Sequence, residues 1–167
     1  MILYHGSNMV VSEIELIRCR PYRDFGTGFY LTIYPDQAKR MASRVVRIYG
    51  GKENVSVFDY NETLVSDLSI RIFKKPCIEW AKFVMNNRDR DFSDIESPLC
   101  NLDTKYDIVI GPVANDDMAL LFRQYSQQLI TLDILAKGME YRNLSNQYSF
   151  HTEKAITTLK YTGVFDE

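Results

Sequence analysis

Three short segments carry the side chains with the widest chemical scope. LYHGS at 3–7 sets an imidazole, a bare backbone position and a hydroxyl in a row at His5, Gly6 and Ser7. DFGTGFYLT at 24–32 sets Tyr30 behind two glycines, with Phe25 and Gly28 alongside, and NQYSFH at 146–151 opens on the amide of Gln147. An imidazole exchanges hydrogen bonds with hydroxyls, a phenol ring stacks on a planar ring, a glycine lets a ligand approach the backbone, and an amide both donates and accepts. Arg18, Arg20 and Arg23, just ahead of the second segment, are cations suited to a phosphate. Taken singly, each group also has a plain structural reading: His5 as a hydrogen-bonded structural histidine, Tyr30 as core, Gln147 as a polar strand start, the arginines as solvated charge. Metal chemistry is not expected. The chain has only two histidines, His5 and His151, and its three cysteines (Cys19, Cys77, Cys100) form no Cys-x-x-Cys pair.

In this order, LYHGS, GTGFYLT and NQYSFH resemble the mono-ADP-ribosyltransferase superfamily, in the His-Tyr-Glu branch that includes the poly-ADP-ribose polymerases. The resemblance runs from end to end. In finer detail, DFGTGFYLT, PDQAKRMA, YDIVIGPVAND and QYSFHTEKAI look like a bacterial domain-of-unknown-function family of transferase-like proteins suspected to act as toxins in toxin–antitoxin pairs. The resemblance implies an α+β ADP-ribosyltransferase fold, with a split mixed or antiparallel sheet flanked by helices and NAD+ held in a cleft between the sheets. It implies that Gly6 and Ser7 grip the nicotinamide carboxamide, that His5 positions a ribose hydroxyl, and that Tyr30 lies over the nicotinamide ring. Phe25 and Gly28 are expected at the same ligand, and Arg18 or Arg20 at its pyrophosphate. By position, Glu140, Tyr141, Arg142 and Asn143 correspond to the acceptor-recognising loop, and Asn115 and Asp116 are further substrate candidates.

Gln147 departs from the pattern, which places a glutamate there to hold the ribose 2′-hydroxyl. An amide can make that hydrogen bond but cannot stabilise a ribosyl cation by charge. A carboxylate about 4 Å away, at an effective dielectric near 20, is worth about 4 kcal/mol, or nearly three decades in rate at ~1.4 kcal/mol per decade. Weak NAD+ hydrolysis is therefore expected, unless Asp116, Asp117 or Glu153 lends a carboxylate. The expected activity is transfer of ADP-ribose to a macromolecular acceptor, protein before nucleic acid, with an antitoxin protein as a further partner. The alternatives are a module that binds NAD+ or ADP-ribose without turnover and a partner-binding protein that keeps only the fold.

These residues need elements to hold them. The pattern predicts strands at 1–5, 28–32, 55–59, 68–72, 106–110 and 147–151, and a helix over 35–49 with Ala38, Met41, Ala42, Val45, Val46 and Tyr49 at helical intervals. Further helices are expected from Pro76 to about Asn87, from an Asn115 cap through Phe122, over 131–137 with Gly138 as the stop, and from Thr152 to Leu159. Gly111-Pro112 reads as a strand leaving the sheet, and 87–103 as a surface connection without function. At 167 residues, 46% apolar and 25% charged, the chain reads as one globular domain. Its net charge of −2 gives no long-range pull toward nucleic acid. No signal peptide or membrane span is read, and the cysteine usage suits a reducing cytoplasm.

Overall fold

The computed structural model describes residues 1–140 and 142–165, and within them the chain is a mixed α+β structure with two sheets and five helices. The first sheet has the order β1 (Ile2–Ser7), β3 (Asn54–Tyr60), β7 (Leu159–Val164), with both pairings antiparallel. The second has the order β2 (Phe29–Leu31), β6 (Asn146–Phe150), β5 (Ile108–Pro112), β4 (Ile70–Ile72), and only its β5–β4 pairing is parallel. One isolated bridge, Tyr4 to Thr32, links the sheets, each residue donating its N–H to the other's carbonyl at 2.8 and 3.0 Å.

Strand alternation divides the core in two. Phe29, Leu31, Ile108 and Phe150 turn toward Leu3 and Phe58 of the first sheet. Val109 and Tyr30 point the other way, toward Trp80, Phe83 and Val84 of α2 (Ile78–Arg88), Met118 and Phe122 of α3 (Asp116–Ser126) and Leu135 and Met139 of α4 (Leu132–Glu140). Phe25 lies inside this second cluster. α1 (Pro35–Tyr49) matches its expected span, yet it buries only Ala38 and Ala42, because these small residues let it lie directly on β1. A Cβ on Gly6 would stand 1.8 Å from the Ala38 carbonyl oxygen.

Four elements differ from the sequence reading for identifiable reasons. Gly111 and Pro112 stay in β5, opposite Gln147 and Asn146. The Ile110 carbonyl accepts from Phe73 beyond β4, so by alternation Pro112 faces that same side, past the end of β4, where its missing N–H costs nothing. Gly138 lies within α4 rather than ending it, since a Cβ there would meet Leu121 of α3 at 2.8 Å. The last helix, α5 (Glu153–Ile156), is a single turn, and Leu159 opens β7 instead of closing a helix. The 87–103 connection is anchored from within: Asn87 and Asn101 are buried, and Asn87 accepts from the Asn101 N–H at 2.8 Å while its amide donates to Asp24 and Phe83 carbonyls. No described helix is long and apolar enough to cross a membrane.

Candidate functional site

Register brings position 147 beside position 30. Tyr30 of β2 pairs with Ser149 of β6, and Gln147 lies two residues along, on the same face. β1 reaches them through the Tyr4–Thr32 bridge, which sets His5 next to the Tyr30 backbone, with the His5 Nδ1 2.8 Å from the Tyr30 carbonyl oxygen. His5, Gly6, Ser7, Gly28, Tyr30 and Gln147 thus all line one cleft of about 890 Å³, as do Arg18, Arg20, Arg23 and Asp116. The 8–15 stretch of the lining is tied down by a hydrogen bond from the Val11 N–H to the buried Ser56 hydroxyl at 2.8 Å.

The His5 environment fixes its tautomer. Burial, opposed by the Tyr30 hydrogen bond and assisted by the charge of Arg23, lowers its pKa to about 4, so the ring is neutral at neutral pH. A carbonyl oxygen only accepts, so Nδ1 carries the hydrogen and Nε2 is left as the ring's acceptor. The ring also stacks on Phe29, with centroids 4.3 Å apart. His5 can therefore orient a hydroxyl that donates to it, but it is not a proton donor.

Gly6 shows a different use from the one its type suggested. Its missing side chain serves α1, yet its peptide groups also matter. Backbone groups alternate between the two edges of a strand, and Tyr4 directs both of its own at Thr32. Gly6 therefore turns its N–H and C=O to that same edge, away from β3. The Val55 carbonyl opposite agrees, since it accepts from Phe165 on the far side of β3. Gly28 is likewise small for a neighbour, because a Cβ there would lie 2.6 Å from Nδ1 of His151.

Tyr30 is anchored by its hydroxyl, which donates to the Gly26 carbonyl at 2.7 Å and accepts from the Phe25 N–H at 3.0 Å. Burial, with the charge of Asp24 second, pushes the phenol well above its ordinary range, so it remains neutral. The Arg23 guanidinium stands 5.2 Å from the ring centroid. Arg18 pairs with Glu15 at 3.0 Å and Arg20 lies over Tyr49 at 4.2 Å, so of the three arginines Arg23 is the one beside Tyr30.

Gln147 is buried, and its Nε2 donates to Oδ2 of Asp24 at 2.7 Å. Sequence reasoning missed Asp24, which reads as an ordinary turn residue before Phe25. Its partners lie 64, 90 and 123 residues away, at Arg88, Ala114 and Gln147, so no local pattern marks it. None of the three suggested carboxylates is the one bonded to Gln147. Asp116 lines the cleft, Asp117 pairs with Arg142 at 2.8 Å, and Glu153 lies on α5, beyond the other end of β6.

Several residues expected at the ligand or the substrate lie elsewhere or do other work. Phe25 is fully buried among Phe73, Phe83 and Tyr30 and contributes to the core, which corrects its assignment to the ligand. Asn115 caps α3 by accepting from the Met118 N–H at 3.1 Å. Glu140, Arg142 and Asn143 are exposed but lie outside the cleft lining, and Arg142 ties its segment to α3 through Asp117. Tyr141 lies outside the described residues.

No curated protein and no solved structure matches the chain. A family model does, over residues 1–161, and the chain accordingly belongs to the family described as "Protein of unknown function (DUF3990)".

Proposed function

We propose that this protein is an NAD+-dependent ADP-ribosyltransferase with the fold of that superfamily, its two sheets split around an NAD+ cleft, and that it transfers ADP-ribose to a macromolecular acceptor. The observation that carries the reading is convergence. His5, Tyr30 and Gln147, scattered from one end of the chain to the other, line one cleft together with Gly6, whose N–H and C=O face an edge of β1 that pairs with no strand there among the described residues. A carboxamide presents one donor face and one acceptor, which the N–H and C=O of a single strand residue can match. The Tyr30 ring offers the stacking surface, Nε2 of His5 accepts from a ribose hydroxyl, and Gln147 accepts from another. Arg23 is the best-placed cation for the pyrophosphate, ahead of Arg18 and Arg20. By swinging from the Tyr30 ring to the phosphates it would also free that ring for a pyridinium that a neighbouring guanidinium repels.

In the reaction, the bond between the ribose carbon and nicotinamide breaks, and its electron pair neutralises the pyridinium nitrogen. The acceptor's lone pair forms the new bond to that carbon, and its proton leaves to solvent. The chain binds and orients; it supplies no nucleophile of its own. A cytoplasmic toxin with an antitoxin partner, acting on protein before nucleic acid, is the setting we propose.

The test is incubation with NAD+ labelled in the adenylate portion together with cell extract. Label transferred to macromolecules by the wild type, and not by Tyr30→Ala, is the expected result. Saturable binding with no transfer would instead support a binding module, a reading favoured by the amide at 147. Absence of any NAD+-dependent rise in melting temperature would sink both, because ligand at 100 times its dissociation constant should add about 2.7 kcal/mol.

A further inference from the structure

Asp24 is 7% exposed and fully engaged as an acceptor. Its Oδ1 takes hydrogen bonds from Nε and Nη2 of Arg88 at 2.9 and 2.5 Å, and its Oδ2 takes them from the Ala114 N–H at 3.0 Å and Nε2 of Gln147 at 2.7 Å. The backbone under it is held too, by Asn87, whose amide donates to the Asp24 carbonyl at 3.3 Å. A carboxylate accepting four hydrogen bonds has nothing left for a ligand. Arg88 also offsets its charge, so little bare negative potential reaches the cleft. What the carboxylate does control is the amide of Gln147. It holds the NH2 end, so the amide cannot flip, and Oε1 is the atom left to receive a donor. Hydrogen bonding of an amide N–H to an anion also polarises the group and makes its oxygen a better acceptor.

Resting on the transferase reading above, we propose that Asp24 is a positioning residue for NAD+ turnover: it locks and polarises Gln147 so that Oε1 faces the ribose and its developing positive charge. Asp24 and Gln147 together then replace the single glutamate of the pattern. A consequence separates this arrangement from a simple loss of charge at 147. Gln147→Glu would place a second carboxylate at hydrogen-bonding distance from Oδ2 of Asp24, and two ionised groups that close repel until a proton taken up in acid bridges them. The single change therefore lowers activity at neutral pH and confers a dependence on acid that the wild type lacks. Asp24→Asn combined with Gln147→Glu restores one amide and one carboxylate, now in reversed order.

The experiment measures kcat and KM for consumption of labelled NAD+ by the full chain from pH 5 to 9, with NAD+ binding followed by calorimetry and folding by circular dichroism. Asp24→Asn is expected to lower kcat roughly 10- to 100-fold, the scale for losing one oriented hydrogen-bonding group, with little change in KM. Gln147→Glu is expected to regain activity as pH falls, and the double variant to exceed either single one at pH 7. An unchanged kcat in folded Asp24→Asn overturns the proposal. Should Asp24→Asn fail to fold, a Gln147→Glu profile parallel to that of the wild type overturns it independently. A double variant no better than the singles does the same. Wild-type protein that binds NAD+ without consuming it overturns this inference and leaves the binding module standing, whereas wild-type protein that does neither overturns the transferase reading as well.

Discussion

Tyr30 divides its labour in the proposed reading: its hydroxyl is tied to the Phe25 and Gly26 backbone, and its ring is left to stack on the ligand. Tyr30→Phe should keep the ring but leave the Phe25 N–H without its partner, at a cost of about 1–3 kcal/mol in a urea titration. NAD+ affinity should be nearly unchanged in Tyr30→Phe and lost in Tyr30→Ala, as read by calorimetry. Equal loss in both variants would mean that the hydroxyl, not the ring, meets the ligand. At this scale the sequence conveyed which chemical types were available but not which partners would claim them. Phe25 could be read as a ligand residue because an aromatic beside glycines looks the same in a cleft and in a core. Asp24 went unseen because its three hydrogen-bonding neighbours come from distant parts of the chain.

Among the elements, contact between α1 and β1 depends on a glycine that abuts backbone, whereas contact between α3 and α4 depends on one that abuts a side chain. Gly6→Ala would drive a methyl into the Ala38 carbonyl and should cost about 3 kcal/mol or more, or prevent folding. Gly138→Ala meets only the end of Leu121, which can rotate, and gains helix propensity of about 1 kcal/mol, so its net effect should stay within about 1 kcal/mol. Thermal melts of the two variants side by side check the contrast. Asn115→Ala should cost about 1 kcal/mol as a lost cap while leaving NAD+ affinity unchanged; a fall in affinity would show that Asn115 serves the ligand as well as the helix. Periodicity made α1 legible to its boundaries, and the Asn115 cap likewise, because both signals are local. It failed at β7, where Leu159 and Tyr161 alternate as a strand should, but a Thr-Glu helix start six residues earlier drew the reading onward. Likewise the 87–103 stretch looked dispensable because buried asparagines are indistinguishable from exposed ones without their partners.

For the molecule as a whole, the two histidines tie stability to pH. Both are held at about 4, chiefly by burial, against an ordinary value of 6.5. Between those values the unfolded chain binds more protons than the folded one, so stability rises with pH across that window and is level above it. His151, almost wholly buried, should account for roughly 3 kcal/mol of the loss on acidification. The urea midpoint should therefore drop steeply below pH 6.5, and His151→Asn should flatten that slope. A midpoint constant from pH 7 to pH 4.5 would contradict the burial of both rings.

The α+β class was legible because the segments carry their own strand and helix patterns, whereas the gathering of three remote segments and the partition into two sheets depend on register and were implied only by the family resemblance. That partition has a mechanical corollary. Among the described residues a single backbone bridge, Tyr4 to Thr32, fastens one sheet to the other, so apart from it and the His5 bond to the Tyr30 carbonyl beside it the sheets are held together by the packing of Leu3 and Phe58 against Phe29, Leu31, Ile108 and Phe150. The same strand is seam at Tyr4 and cleft lining at Gly6, so a change that shifts β1 at the bridge also shifts the backbone that the proposed ligand would meet.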